Sequence, residues 1–203
     1  MNTNTRSIAR TIGVAVRSMV IITLVLGPLY CLAITGVGQL IFHGSANGSM
    51  VENSRGAVVG SSLIGQSFSD SKGDPLAQYF QPRPSAAGDG YDGAGSSGSN
   101  LGPENPDLIK SIKQRRQQVA TFNHVSQAQV PPDAVTASGS GLDPDISPAY
   151  AAIQEDRVAR ARQLPVSTVQ KLVQEHTSGR TLGFLGEPTV NVLELNLALD
   201  RLS

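Results

Sequence analysis

The sequence predicts an α+β chain: one N-terminal transmembrane helix, then a small mixed α/β extracytoplasmic domain with long Gly-rich loops. Three observations carry this. Residues 18–42 contain no formal charge. Glycine and proline gather into long stretches rather than scattering. Between those stretches lie runs with helical periodicity and recognisable helix starts.

The apolar run is SMVIITLVLGPLYCLAITGVGQLIF, residues 18–42. At about 1.5 Å per residue such a helix crosses a hydrocarbon core about 30 Å thick, with some tilt. Arg6, Arg10 and Arg17 precede it, and the next basic residue with a full charge is Arg55. The positive-inside bias then places residues 1–17 in the cytoplasm and the rest outside. The competing reading is a cleavable leader ending near Gly44-Ser45-Ala46. The run is longer than the ~7–15 apolar residues of a leader, which favours a retained span. Gly27-Pro28 predicts a kink, and Gly36 and Gly38 allow close approach of another helix near the outer end. Arg6, Arg10 and Arg17, spaced by four and seven, share a helix face suited to phospholipid headgroups. Cys31 is the only cysteine, so no internal disulfide exists.

Residues 43–56 read as a connector and residues 57–203 as the outer domain. Ala57-Val58-Val59 and Leu63-Ile64-Gly65 are short apolar runs that suit a strand or hairpin. Residues 81–106, QPRPSAAGDGYDGAGSSGSNLGPENP, form a long loop of a kind that is usually functional or disordered. A helix opens at Pro106-Asp107, with Leu108, Ile112, Val119 and Phe122 on one face. Residues 131–146 form a second turn-rich segment. Ser147-Pro148 starts another helix, Ser as N-cap and Pro at the first helical position, running to a break at Pro165. Ser167 and Gln170 have capping-box spacing for the next helix. Thr181–Leu185 is the better strand candidate near the C-terminus. The leucines of NVLELNLALDRL alternate like a strand, but Asn191 and Glu194 are spaced as a capping box, and this favours a helix.

Net charge is zero overall, yet beyond residue 43 there are 13 basic and 16 acidic groups. A basic foot on a mildly acidic body excludes a nucleic-acid-binding stripe as the main theme. Aromatic residues are 4% of the chain and Trp is absent, so anchors for an independent core are few. The motif-like strings fail on context. Gly88–Gly93 matches G-x-G-x-x-G but neither follows a strand nor opens a helix. Ser69 and Lys72 match S-x-x-K, but Gly73-Asp74-Pro75 predicts a turn where that chemistry needs a helix. His43, His124 and His176 are scattered, and with one cysteine they make no zinc site. Asp89, Asp92, Asp143 and Asp145 lack the remaining ligands of a calcium loop and read as turn formers. No catalytic, cofactor or metal site is expected from these patterns.

Several long strings together resemble the C subunit of the bacterial Kdp potassium-transporting ATPase. They are ITGVGQLIFHGSANGSM, GSSLIGQSF, YFQPRPSAAGDGYDGAGSSGSNLGP, VTASGSGLDPDISPAYAAIQEDRVARAR and LVQEHTSGRTLGFLGEPTVNVLELNLALD, in order along nearly the whole chain. The resemblance implies a non-catalytic subunit in the bacterial inner membrane. Its partners would be a KdpA-like potassium-translocating subunit, a KdpB-like P-type ATPase subunit and a small KdpF-like membrane subunit. ATP, Mg2+ and K+ would be used by the complex, with none bound by this chain. In this reading the candidate partner contacts are Gly27, Pro28, Gly36 and Gly38 in the span, and Tyr79, Arg83, Ser97, Gly98 and Asn100 in the loops. The Gly-rich loops would be ordered by those contacts. A second reading implied by the resemblance is modulation of ATP binding through Ser138, Gly139, Ser140, Gly141 or Gln154, although an outer domain would not meet cytoplasmic ATP. Three positions depart from the family pattern: Asp145 stands where His is expected, Thr189 where Arg is common, and Glu155 where an apolar residue is usual.

Overall fold

A computed structural model describes residues 3–202, with side chains from Ser7 onward; Met1, Asn2, Ser203 and the Arg6 side chain lie outside the described residues. The chain divides into two units, residues 1–49 and 50–203.

The first unit is a helical run. α1 (Thr3–Leu24) passes through a π-helical turn (Val25–Leu29) into α2 (Tyr30–Ile41). The π turn sits where Pro28 falls inside the helix. Proline offers no N–H to the residue four positions back, so the hydrogen-bond ladder widens there. The predicted kink site is thus a π turn. The helical stretch Ser7–Ile41 is the one candidate span among the described residues, long and apolar enough to cross a membrane. A short helix, α3 (His43–Ala46), follows, and Asn47 ties back to it by donating to the His43 carbonyl at 2.7 Å.

The second unit opens with an antiparallel hairpin of β1 (Met50–Glu52) and β2 (Val58–Ser61), with a register irregularity between Val51 and Glu52. The hairpin expected around Ala57–Val59 is present. Its first strand is Met50–Glu52, within the stretch read as connector, and Leu63-Ile64 forms a turn instead of a strand. Asn53 explains the turn between the strands: its side-chain oxygen accepts from Arg55 N and Ala57 N at 3.0 and 3.1 Å.

α4 (Pro106–Asn123) begins at the expected proline, with Asn105 accepting from Asp107 N at 2.8 Å. β3 (Asp145–Ile146) then leads into α5 (Pro148–Arg162), where Ser147 caps Tyr150 N at 3.0 Å as the sequence predicts. Asp133 holds Ser147 in turn, accepting from its N and Oγ at 2.7 and 2.9 Å. α6 (Val166–Glu175) starts directly after Pro165, so Ser167 lies inside the helix and the expected capping box does not form. The fixed φ and extended ψ of Pro165 set the helix start without a side-chain cap. β4 (Thr177–Ser178), β5 (Thr189–Asn191) and β3 make a three-stranded antiparallel sheet with β5 central. Thr181–Leu185, expected as a strand, is a tight turn joining β4 to β5. Leu182 and Gly183 have φ of 55° and 82°, which no strand tolerates. α7 (Val192–Asp200) confirms the helical reading of the leucine-rich end, with Asn191 accepting from Glu194 N at 3.1 Å. Five of its nine residues (Val192, Leu193, Leu195, Leu197 and Leu199) are buried apolar side chains, which is why the pattern alternates in sequence and yet packs as a helix. Phe80, Tyr150, Ile146, Val158, Val169, Val190 and Leu195 are among the core residues where these elements meet.

Candidate functional site

Three polar side chains buried in the second unit, Asn196, Gln154 and Arg157, converge on one extended segment, residues 77–81. Asn196 of α7 is 1% exposed and brackets Phe80. Its Oδ1 accepts from Phe80 N at 2.8 Å, and its Nδ2 donates to Phe80 O at 3.0 Å. Gln154 of α5 does the same one residue on, accepting from Gln81 N at 2.7 Å and donating to Gln81 O at 3.2 Å. Each amide copies the donor–acceptor pair of a neighbouring strand. The segment therefore has strand-like pairing without a strand beside it.

Two arginines complete the clamp. Arg157 Nη1 donates to the carbonyls of Ala77 and Tyr79 at 2.5 and 3.0 Å, its Nη2 to Gln154 Oε1 at 2.8 Å, and its Nε to Asn123 Oδ1 at 2.9 Å. The guanidinium lies 4.4 Å from the Phe122 ring centre. Burial pulls its pKa down to about 10, so it stays cationic at neutral pH. Arg162 donates to Gln78 O at 2.6 Å, pairs with Asp200 at 2.7 Å and stacks on Tyr79 at 4.8 Å. Burial is the main cause raising the Tyr79 hydroxyl pKa, helped by the adjacent Asp200.

From this clamp the Gly-rich chain runs out into a stapled loop cluster. Arg83 pairs with Asp143 at 2.8 Å. Tyr91 Oη donates to Arg83 O at 2.6 Å, and burial raises its pKa well above the usual phenol range. Ser85 Oγ donates to Gly141 O at 2.6 Å and accepts from Ala87 N and Tyr91 N at 3.1 and 2.8 Å. Ser140 O accepts from Ser97 N at 2.9 Å and Ser96 Oγ at 3.0 Å. The glycines here are dictated by contact. A Cβ on Gly98 would meet Gly139 O at 2.9 Å, and one on Gly141, whose φ is +68°, would meet Ser97 O at 2.5 Å. Beside the cluster lies a cavity of about 260 Å³, lined by Arg83, Tyr91, Arg115, Phe122 and Tyr150 among others.

The structure brings two separate groups of sequence candidates into one place. Ser97 and Gly98 lie against Gly139, Ser140 and Gly141. Tyr79 lies within the clamp segment and Arg83 just beyond it, and Asn100, with φ of 51°, lies exposed beyond Gly98. Ser138 is buried next to Gly139, its hydroxyl 3.5 Å from that of Ser140. Gln154 is fully buried, its amide committed to Gln81 and Arg157. Gly27, Pro28, Gly36 and Gly38 belong to the helical first unit; Gly27 and Pro28 lie in the π turn. The loops expected to await a partner are in large part pinned by this chain's own groups.

Sequence reasoning missed Arg157, Arg162, Asn196 and Asp143. A signal for Arg157 was there. Tyr150, Gln154, Arg157 and Val158 fall at i, i+4, i+7 and i+8, the spacing of a buried helix face. The motif-like strings behave as turns. Asp70 Oδ1 accepts from Lys72 N and Asp74 N at 2.8 and 2.9 Å, closing the turn that carries Ser69 and Lys72. Gly88 and Gly90 both have positive φ in the turn of the G-x-G-x-x-G string. His124 and His176 are the C-caps of α4 and α6. Among the described residues no three His, Cys, Asp or Glu side chains gather into a metal-sized group.

Fold and site together define a class: an apolar N-terminal helix carrying a small α/β body whose buried polar groups fasten its own loops. A family model described as KdpC, the c chain of the K+-transporting ATPase, matches residues 12–201. The Potassium-transporting ATPase KdpC subunit of Kineococcus radiotolerans is 55% identical over 181 residues, covering 89% of this chain and 88% of that protein. That of Beijerinckia indica is 51% identical, covering 90% and 89%, and that of Mycobacterium tuberculosis is 51% identical, covering 93% and 96%. The chain belongs to the KdpC family and is an accessory subunit of the Kdp potassium uptake complex.

Proposed function

We propose that this chain acts as a non-catalytic assembly subunit, holding the potassium-translocating and ATP-hydrolysing subunits together and capping the outer face of the former. The observation that carries this reading is the internal commitment of the buried polar groups. Gln154, Asn196, Arg157 and Arg162 all hold backbone of residues 77–81. They build a shaped, preorganised surface instead of a cleft with convergent reactive groups. The same commitment of Gln154 favours assembly over the modulation of ATP binding. In this reading KdpA-like, KdpB-like and KdpF-like subunits are the partners, and ATP, Mg2+ and K+ belong to them. The helix spans the bacterial inner membrane once, its N-terminus cytoplasmic and its body extracytoplasmic, as the three N-terminal arginines favour.

The test is affinity purification of tagged chain from mild-detergent membranes of potassium-starved cells. Recovery of a P-type ATPase and a channel-like protein with potassium-stimulated ATPase activity is expected. A chain that elutes alone while its partners are expressed defeats the proposal.

A further inference from the structure

The cavity beside the stapled loops is walled by polar groups that the fold leaves unused. Its volume is about 260 Å³, and its wall joins residues 81–84 to α4, Tyr91 and Tyr150. Among the described residues that line it, Arg83 and Arg115 carry charge and none is acidic. Arg83 gives Nη1 to Asp143, but its Nε is buried with no acceptor. Such an orphaned donor marks a place where something outside the chain supplies the acceptor. Arg115 donates to Val135 O at 3.3 Å and, among the described residues, pairs with no acid. Tyr150 is 3% exposed, and its hydroxyl makes no hydrogen bond within the described residues. Burial raises its pKa well above the usual phenol range, so it stays a donor.

We propose that this cavity binds a small organic monocarboxylate with an apolar body, its carboxylate held by the Arg83 and Arg115 guanidiniums and the Tyr150 hydroxyl. The charge of the wall selects an anion, since two guanidiniums face the cavity and one has no counter-charge. The rest of the wall selects the body. Pro75, Pro82, Pro84, Val119, Phe122 and Ala134 offer apolar surface and an aromatic face. Phosphate presents four oxygens that all need donors, and prolines have no N–H to give them. A carboxylate presents two, and its carbon body covers the apolar wall. Pockets for drug-sized ligands run to about 300–1,000 Å³, so this one takes a single ring or a short acyl chain. The site is distinct from the assembly role and does not depend on it.

Isothermal titration of the purified full chain in detergent with sodium benzoate is the test. Benzamide serves as the neutral probe of the same shape, and inorganic phosphate as the anion without an apolar body. Benzoate should bind one-to-one and at least tenfold tighter than either control. R115Q should weaken benzoate binding about tenfold, the loss of one charge-assisted contact. Y150F removes a hydroxyl that the fold does not use, so it should weaken benzoate severalfold with the thermal midpoint unchanged. R116Q, outside the wall, should leave the affinity as it is. No saturable benzoate binding means a cavity filled by water and overturns the proposal. So does benzamide or phosphate binding as tightly as benzoate, or a folded Y150F or R115Q chain that binds benzoate like the wild type.

Discussion

Asn196 and Gln154 show how much a single amide decides in this body. Each satisfies both the N–H and the C=O of one residue of the loop segment, buried Phe80 and half-buried Gln81, so neither can be replaced by an apolar side chain of similar size without leaving two orphaned backbone groups. Asn196→Leu is therefore expected to cost about 2–4 kcal/mol, seen as a lower thermal midpoint of the full chain in detergent. Asp145 makes the opposite case. Burial raises its carboxyl pKa, with hydrogen bonds from Thr189 and Asn191 pulling the other way. A raised carboxyl pKa means that the folded state binds this proton more tightly than the unfolded state. The group thus opposes folding at neutral pH, and its penalty fades as pH falls through the raised pKa. Asp145→Asn should then raise the thermal midpoint at pH 7, with the gain shrinking toward acidic pH. Asp145 and Thr189 interact across the β3–β5 pair, so a change at either one is felt by the other.

At the level of elements, local chemistry placed the helix starts well. Asn105-Pro106, Ser147-Pro148 and Asn191 with Glu194 all cap as their residue types require. It failed where a partner across the fold overrides propensity. Thr181–Leu185 has strand-forming residues, yet Gly183 and Gly186 permit a turn that the β4–β5 pairing demands. The Gly-rich loops were legible as special but not as paired, because Ser97 and Ser140 lie 43 residues apart and no local pattern links them. Gly141→Ala checks that pairing. A Cβ there meets Ser97 O and Ala87 N at 2.5 and 2.8 Å on a left-handed backbone. It is expected to cost about 2–3 kcal/mol and to open residues 85–98 to protease, whereas Gly139→Ala, with no atom within 4 Å of the added Cβ, should leave that segment protected.

For the whole molecule the decisive quantity is the side of the membrane on which the body lies. Sidedness can be measured directly because Cys31 is the sole native cysteine. In a Cys31→Ser background, Ser99→Cys should react with a membrane-impermeant maleimide added to spheroplasts, and Ser7→Cys only after lysis. The reverse pattern would invert the topology expected from the arginines.

By itself the sequence determined the apolar helix, its Pro28 irregularity, the start of α4, the capped starts of α5 and α7, and membership in a potassium-transport family. These depend on neighbours within a few residues, or on long strings read in order. Only the tertiary structure decided that Gln154 and Asn196 face inward on a loop segment, that two distant glycine-rich stretches form one cluster, and that Arg83 and Arg115 line one cavity. Those outcomes hinge on which long-range partner satisfies a buried donor, acceptor or apolar face. A linear pattern of residue types does not encode that partner at any fixed spacing.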